Sequence, residues 1–192
     1  MAEIRIYFEG HNALRPGFSR FFSELRDLAR EKRCGFNLIA TGGTPTQDFA
    51  IGRRTHPQAF NILLLDSERA DDNQLTVTLI VKEKWEKSLA DSIFWMVHMM
   101  EAWFHADKEA LKDYYRDDRF NAGAMSANPR VEEISKKDLM DGLKEATKRT
   151  KKGEYHKTKH APDLLAVIAP ERVRRAAPNC KKLFDRIFAI LA

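Results

Sequence analysis

The sequence predicts an α/β fold: a parallel sheet of about four strands flanked by helices, followed by a helical C-terminal extension. Three observations lead there. From residue 4 to residue 65, short apolar runs alternate with segments of helical period, the pattern of strands joined by crossover helices. Two of the runs, Ile4-Arg5-Ile6-Tyr7-Phe8 and Ile62-Leu63-Leu64-Leu65, stop on carboxylates, at Glu9-Gly10 and Asp66-Ser67-Glu68. Beyond residue 134 the chain reads as helical and basic.

Each element has its own signal. Residues 4–9 alternate apolar and polar before the acid, as a strand with one less-buried face does. After Asn12 and Arg15-Pro16, the residues Phe18, Phe21, Phe22, Leu25, Leu28 and Ala29 recur at helical spacing, and Gly35 sits where a helix commonly ends. Phe36 to Ala40 reads as the second strand, closed by the turn Gly42-Gly43. A short helix over 46–54 and a third strand from Phe60 to Leu65 follow. Residues 75–92 allow two readings, since Thr76 to Val81 carries strand residues while Lys82 to Lys87 looks helical. Ile93 to Met99 suits a fourth strand, leading through Glu101 into a helix from Trp103 to Tyr115.

Residues 117–134, with Asn121, Gly123, Asn128 and Pro129, form a loop or linker between a core over 1–116 and a basic helical extension over 135–192 packed on it. Ser135 with Asp138 three positions on reads as an N-terminal cap, with Leu139, Leu143 and Ala146 on one face of the helix it opens. Pro162, Pro170 and Pro178 each sit where a short helix can begin. The last of these carries a stripe of Leu183, Phe184, Ile187, Phe188 and Leu191 that suits packing onto the sheet.

The bulk numbers narrow the class. The chain has 192 residues, 43% hydrophobic and 32% charged, which indicates a folded protein of one domain or one domain with an extension. Its net charge of +5 is uneven, because residues 136–186 hold fifteen Lys or Arg against seven Asp or Glu, leaving the remainder at −3. An acidic part beside a basic part suits a metal centre with a surface for a polyanion, although Lys and Arg also serve simply to solvate helices. Cys34 and Cys180 have no ligand-like spacing, which argues against a disulfide framework or zinc ribbon. With no basic-then-apolar leader and no apolar run near the ~18 residues of a membrane span, the expected location is cytoplasmic.

In open parallel sheets the ligand crevice lies outside the carboxyl ends of the strands, where both acid clusters and Gly42-Gly43 fall. If the third strand stays extended, Asp66 and Glu68 point the same way and can share a hard cation with phosphate oxygens. Glu101, between Met99-Met100 and Ala102-Trp103-Phe104, needs a partner: a metal, a basic side chain or water. His98 and His105 flank it without zinc-site spacing, and Asp107 reads as a helix-surface acid. The run Lys148-Arg149-Thr150-Lys151-Lys152, then Tyr155-His156-Lys157-Thr158-Lys159-His160, can grip phosphates, stack a base or protonate a leaving oxygen, or serve only as a solvated loop.

Phe8-Glu9-Gly10 and Leu65-Asp66-Ser67-Glu68 resemble the strand ends of the Toprim fold of primases, topoisomerases and overcoming-lysogenization-defect nucleases. The block from Met99 to Asp107, Tyr155-His156-Lys157 with Leu164-Leu165, and Pro178 to Leu183-Phe184-Asp185 are similar to the Toprim-like bacterial family catalogued as domain of unknown function 4276, over about residues 4–188. The resemblance implies a Toprim-like core with a helical extension and a Mg²⁺-dependent (or Mn²⁺-dependent) nuclease site. It implies that Glu9 is an acid/base or metal ligand, that Asp66 and Glu68 bind metal, and that Glu101 takes the place of a later glutamate. It also implies an AAA- or ABC-type ATPase partner in a phage-defence or mobile-element system. Two departures stand out: Glu68 replaces an aspartate and is one methylene longer, and Ala70 lies near where a glycine often follows.

The functional expectation is therefore a nuclease cleaving DNA or RNA. Glu9, Asp66, Glu68 and Glu101 hold metal, His156 and Lys157 hold or protonate the scissile phosphate, and Lys148, Arg149, Lys151, Lys152, Lys157 and Lys159 track the backbone. The alternative is a non-catalytic Toprim-fold adaptor that docks on an ATPase or nucleic acid.

Overall fold

A computed structural model describes residues 2–69 and 72–192, without the side chains of residues 72 and 73; Ala70 lies outside them. The four strands β1 (Glu3–Phe8), β2 (Gly35–Ala40), β3 (Phe60–Asp66) and β4 (Ile93–Met96) form a parallel sheet in the order β2-β1-β3-β4. The two apolar runs that end on acids are thus the two inner strands, paired from Ile4 with Phe60 to Phe8 with Leu64. Parallel strands covered on both faces need apolar side chains on both, and the alternation of the pleat sorts them. Ile4, Ile6, Phe8, Ile62 and Leu64 enter a large core on one face, while Tyr7, Leu63 and Leu65 enter a smaller one on the other.

The large core is built by α1 (Arg15–Phe21), α2 (Ser23–Glu31) and the helices that follow β4. Trp103 is fully buried there, stacked on Phe21 with ring centroids 4.8 Å apart. The smaller core takes Phe49 from α3 (Pro45–Thr55) and Ile80 from α4 (Asp72–Glu83). The ambiguous stretch around Thr76 to Val81 is helical: its β-branched residues read as strand locally, but Leu75, Leu79 and Ile80 are spaced to meet the sheet from a helix.

Three further local readings shift. The α2 segment ends before Gly35, which opens β2; the turn is made by Arg33 at φ 53°, a left-handed position usually left to glycine. β4 stops at Met96 rather than Met99. The helix expected from Trp103 to Tyr115 is two, α5 (Glu101–His105) and α6 (Lys108–Tyr115). Asp107 makes the break. Its carboxylate caps α6 by accepting from the Ala110 N–H at 3.2 Å, and it also accepts from the Ala169 N–H at 2.8 Å and Arg172 at 3.1 Å. Read from sequence as a surface acid, Asp107 is buried.

Between residues 117 and 134 the chain buries Phe120, Met125, Val131 and Ile134 in the large core. Then come α7 (Lys136–Thr147), α8 (Lys157–Val167), α9 (Pro170–Ala176) and α10 (Pro178–Leu191). The Ser135 hydroxyl caps α7, accepting from the Asp138 N–H at 3.1 Å. Pro162 lies inside α8 rather than at its start. There its carbonyl faces Gly17 of α1 so closely that a Cβ at Gly17 would stand 2.4 Å from that oxygen and 2.8 Å from Leu165 Cβ.

Because the obstructing atoms are backbone and a Cβ, Gly17→Ala should force α1 and α8 apart and destabilise the fold by about 1–3 kcal/mol, the usual cost of overpacking. Chemical denaturation of the two proteins side by side measures this, and equal midpoints would refute it.

Candidate active site

The acids meet because separate segments are pinned at one sheet edge. Phe8, the last residue of β1, has its carbonyl held by both the backbone N–H (3.1 Å) and hydroxyl (2.9 Å) of Thr41. Beyond it Gly10 bridges Gly42, whose N–H donates to the Gly10 carbonyl at 3.1 Å. Gly10 has φ 139°, a backbone conformation that favours glycine. Glu9 between them is thereby fixed: its N–H donates to the Leu64 carbonyl at 2.9 Å, and its Oε2 accepts from the Asp66 N–H at 3.2 Å.

Asp66 ends β3. Its Oδ1 accepts from the Met100 N–H at 2.8 Å, tying it to the start of α5. Glu101, the first residue of α5, is fully buried. Its Oε1 accepts from the Tyr155 hydroxyl at 2.9 Å, while Oε2 is buried with no hydrogen-bond partner. Lys157, the first residue of α8, places Nζ 3.5 Å from Asp66 Oδ2 and 3.6 Å from Glu101 Oε2. The start of α8 is set by His160, whose Nδ1 accepts from the His156 N–H at 2.9 Å.

Charge here is unbalanced. Asp66 and Glu101 share one ammonium, and Glu9 adds a further carboxylate against the Asp66 N–H. Burial pushes Asp66 up to about 7; Lys157 pulls against that rise, and the charges of Glu101 and Glu9 add to it. Burial also works against the charge on Lys157, but Glu101 and Asp66 outweigh it and hold the amine above its ordinary value. Tyr155 is held well above the ordinary phenol range by burial and by Glu101, so it stays a hydrogen-bond donor.

These donors suit a hard divalent cation in kind: all are carboxylate oxygens, and one, Glu101 Oε2, is buried with only the Lys157 ammonium near it and no hydrogen bond. Among the described residues, however, no three His, Cys, Asp or Glu side chains stand grouped closely enough to hold an ion. Lys157 takes the position between Asp66 and Glu101. A cation there requires its head group to withdraw.

Of the residues expected from sequence, the structure brings together Glu9, Asp66, Glu101 and Lys157. Glu68 stands apart. The extended backbone that would have aligned it with Asp66 ends at Asp66, Glu68 turns at φ 61°, and its exposed carboxylate pairs with Lys136 of α7. His156 is exposed, with Nδ1 3.0 Å from the Thr158 hydroxyl, and makes no bond to the acids. Lys148, Arg149, Lys151, Lys152 and Lys159 are all exposed. Lys148 pairs with Glu145, the Lys152 ammonium lies 4.2 Å over the Tyr114 ring, and Lys159 donates to the Lys152 carbonyl at 3.1 Å. Tyr155, read from sequence as a group facing phosphate or base, is buried and anchors Glu101 instead. Its aromatic ring amid a basic run was the available signal, since solubility does not call for it.

The family model described as Domain of unknown function (DUF4276) matches residues 9–187. Among solved structures, the C-terminal region of the OLD protein of Burkholderia pseudomallei is similar over 98% of both chains, with a TM-score of 0.56 and 14% sequence identity, a likeness of fold. No curated protein has a significantly similar sequence. No helix among the described residues is long and apolar enough to cross a membrane.

With its raised value, Asp66 keeps in the folded state a proton that the unfolded chain releases near pH 4. In chelator-treated protein its contribution is therefore complete below about pH 4 and is lost as pH rises through about 7. The loss is at most about 4 kcal/mol, three pKa units at 1.36 kcal/mol each. Denaturation midpoints across pH 4–8 should fall less for Asp66→Asn than for the wild type; parallel curves would remove Asp66 as the titrating group.

Proposed function

Since the chain belongs to the family described as Domain of unknown function (DUF4276) and has a Toprim-like fold, we propose that it is a metal-dependent nuclease cleaving nucleic-acid phosphodiesters. The observation that carries this reading is the meeting of Asp66 and Glu101 at Lys157, with Glu9 bonded to the Asp66 N–H, from three separate segments at the carboxyl edge of the sheet. Surplus carboxylates beside a lysine are costly for stability and useful for phosphate chemistry. The reading extends to an ATPase partner and to phage defence or mobile-element function, on the family resemblance, and to action in the cytoplasm, where the substrate is found.

Asp66, Glu9 and Glu101 would hold Mg²⁺ or Mn²⁺, with Glu68 reaching it only after release from Lys136. The cation supplies Lewis-acid activation of water and neutralises charge on the leaving oxygen. The protein's own groups do the positioning. Tyr155 and the Met100 N–H fix the carboxylates so that their oxygens need no reorganisation. Lys157 is protonated at neutral pH and half-exposed; withdrawn from the acids, its ammonium can donate to a non-bridging phosphate oxygen and offset the charge that builds up there. His156, one residue before it and exposed, is placed to contact the same strand. Lys148, Arg149, Lys151, Lys152 and Lys159 would hold the flanking backbone.

A second reading has an observation in its favour. Lys157 already neutralises Asp66 and Glu101, and Lys136 already pairs with Glu68, which is the arrangement of a non-catalytic adaptor that binds an ATPase or nucleic acid. The two readings rank variants oppositely.

For the nuclease, labelled DNA or tRNA with Mn²⁺ or Mg²⁺ is cut by the wild type, alone or with the neighbouring ATPase. Asp66→Ala then loses at least 100-fold in rate. An adaptor keeps its biological activity in Asp66→Ala and loses it on charge reversal along residues 144–182.

Lys157→Met makes a separate prediction. Freed of the ammonium, the acids should bind Mn²⁺ several-fold more tightly by calorimetry while cleavage falls. Unchanged Mn²⁺ affinity would mean that the ion binds elsewhere.

A further inference from the structure

On the flank of the fold, α1, α2 and α8 form an open groove of about 690 Å³. Arg20 of α1 with Arg26 and Arg30 of α2 line it, along with Ser19 and Ser23, and Pro162 of α8 lies opposite. Of its two acids, Asp27 is ion-paired and Asp163 keeps its charge against a neutral partner. Asp27 pairs with Arg30 at 3.1 Å, and Asp163 accepts from the Tyr114 hydroxyl at 3.0 Å. Nearby, Glu24 pairs with Arg174 at 3.2 Å.

Two cations are left over. Arg20 is exposed and meets no carboxylate within 4.0 Å among the described residues. Arg26 donates to the Ser19 carbonyl at 3.2 Å and to its hydroxyl at 2.6 Å, so neutral partners hold its guanidinium in place without cancelling its charge. Arg15, exposed at the head of α1, is likewise unpaired among the described residues. The α1 helix contains no acid at all.

The groove also has a direction. The α1 helix begins six residues after Glu9, and α8 begins at Lys157. Pro162 is five residues along α8 from Lys157, about 7.5 Å of helix rise, and α1 touches α8 there at Gly17. With Pro162, Asp163 and Ala166 of α8 in its lining, the groove runs along the same helix that presents Lys157 at its start. Guanidinium forks and serine hydroxyls in an open trough suit phosphate oxygens, which they hold without reading bases. An enclosed, apolar pocket would suit a small molecule instead.

We propose that this groove carries the phosphodiester backbone of the nucleic-acid strand leading to Lys157, with Arg20 and Arg26 as its phosphate contacts. The proposal rests on the nuclease reading of the acids but concerns different residues, so the two can fail separately.

The test is fluorescence anisotropy of labelled single-stranded DNA, duplex DNA and RNA in EDTA, where cleavage does not intervene. Arg20→Glu/Arg26→Glu is compared with Arg54→Glu on α3, across the sheet, and Arg20→Gln/Arg26→Gln serves if the reversal fails to fold. The groove variant should weaken binding of at least one of these at least tenfold. It should also reduce the slope of log affinity against log salt by about 1.4–1.8, the loss of two phosphate contacts. Arg54→Glu should change neither. Equal affinities for groove and control variants would overturn the groove while leaving the acid site untouched. Absence of binding by the wild type at low salt would overturn it as well. Cleavage lost in Asp66→Ala with groove binding intact would support both readings.

Discussion

Lys157 stands between two carboxylates that could not otherwise remain charged side by side. Asp66 and Glu101 lie on different elements, one ending a strand and one opening a helix, and both are removed from water. Glu9 adds a third negative group through the Asp66 N–H. Burial above all, with the charges of Glu101 and Glu9 adding to it and Lys157 opposing it, lets Asp66 hold a proton near neutrality. The geometry of the sheet edge, the start of α5 and the start of α8 all serve to keep these four side chains in one place.

That arrangement depends on backbone features some distance from the charges. Thr41 and the Gly10–Gly42 bridge shape the turn after β1 and so aim Glu9. His160 fixes the first turn of α8 and hence Lys157. Tyr155 reaches Glu101 from a buried position against Phe104 and His160. The C-terminal helices are thus part of the site as well as part of the core: without α8, the sheet edge would present its acids with no ammonium between them.

The same helices give the protein its polar asymmetry. Arginines on α1 and α2 and lysines near α8 surround an edge whose own chemistry is acidic. A polyanion is attracted by the periphery and repelled by the centre unless a cation, a proton or Lys157 intervenes.

Much of this was legible in the sequence. The strand–helix alternation and the acids at the strand ends follow from local periodicity, because a buried strand has to be apolar until it surfaces; that β1 and β3 are the inner strands came from the pairing. Glu101 stood out because an acid in so apolar a stretch must have a partner. Where the readings shifted, a tertiary contact had outweighed local preference: α4 is helical because Leu75, Leu79 and Ile80 meet the sheet, and the α5–α6 break exists because Asp107 binds α9. The sequence by itself determined the fold class and marked Glu9, Asp66 and Glu101 as acids to watch, with Glu68 wrongly among them. Only the tertiary structure decided that Lys157 sits among them, that Glu68 turns away to Lys136 and that Tyr155 faces inward. Pairings across 54 to 91 residues depend on where helices dock, and no local pattern encodes the direction in which a side chain leaves a turn.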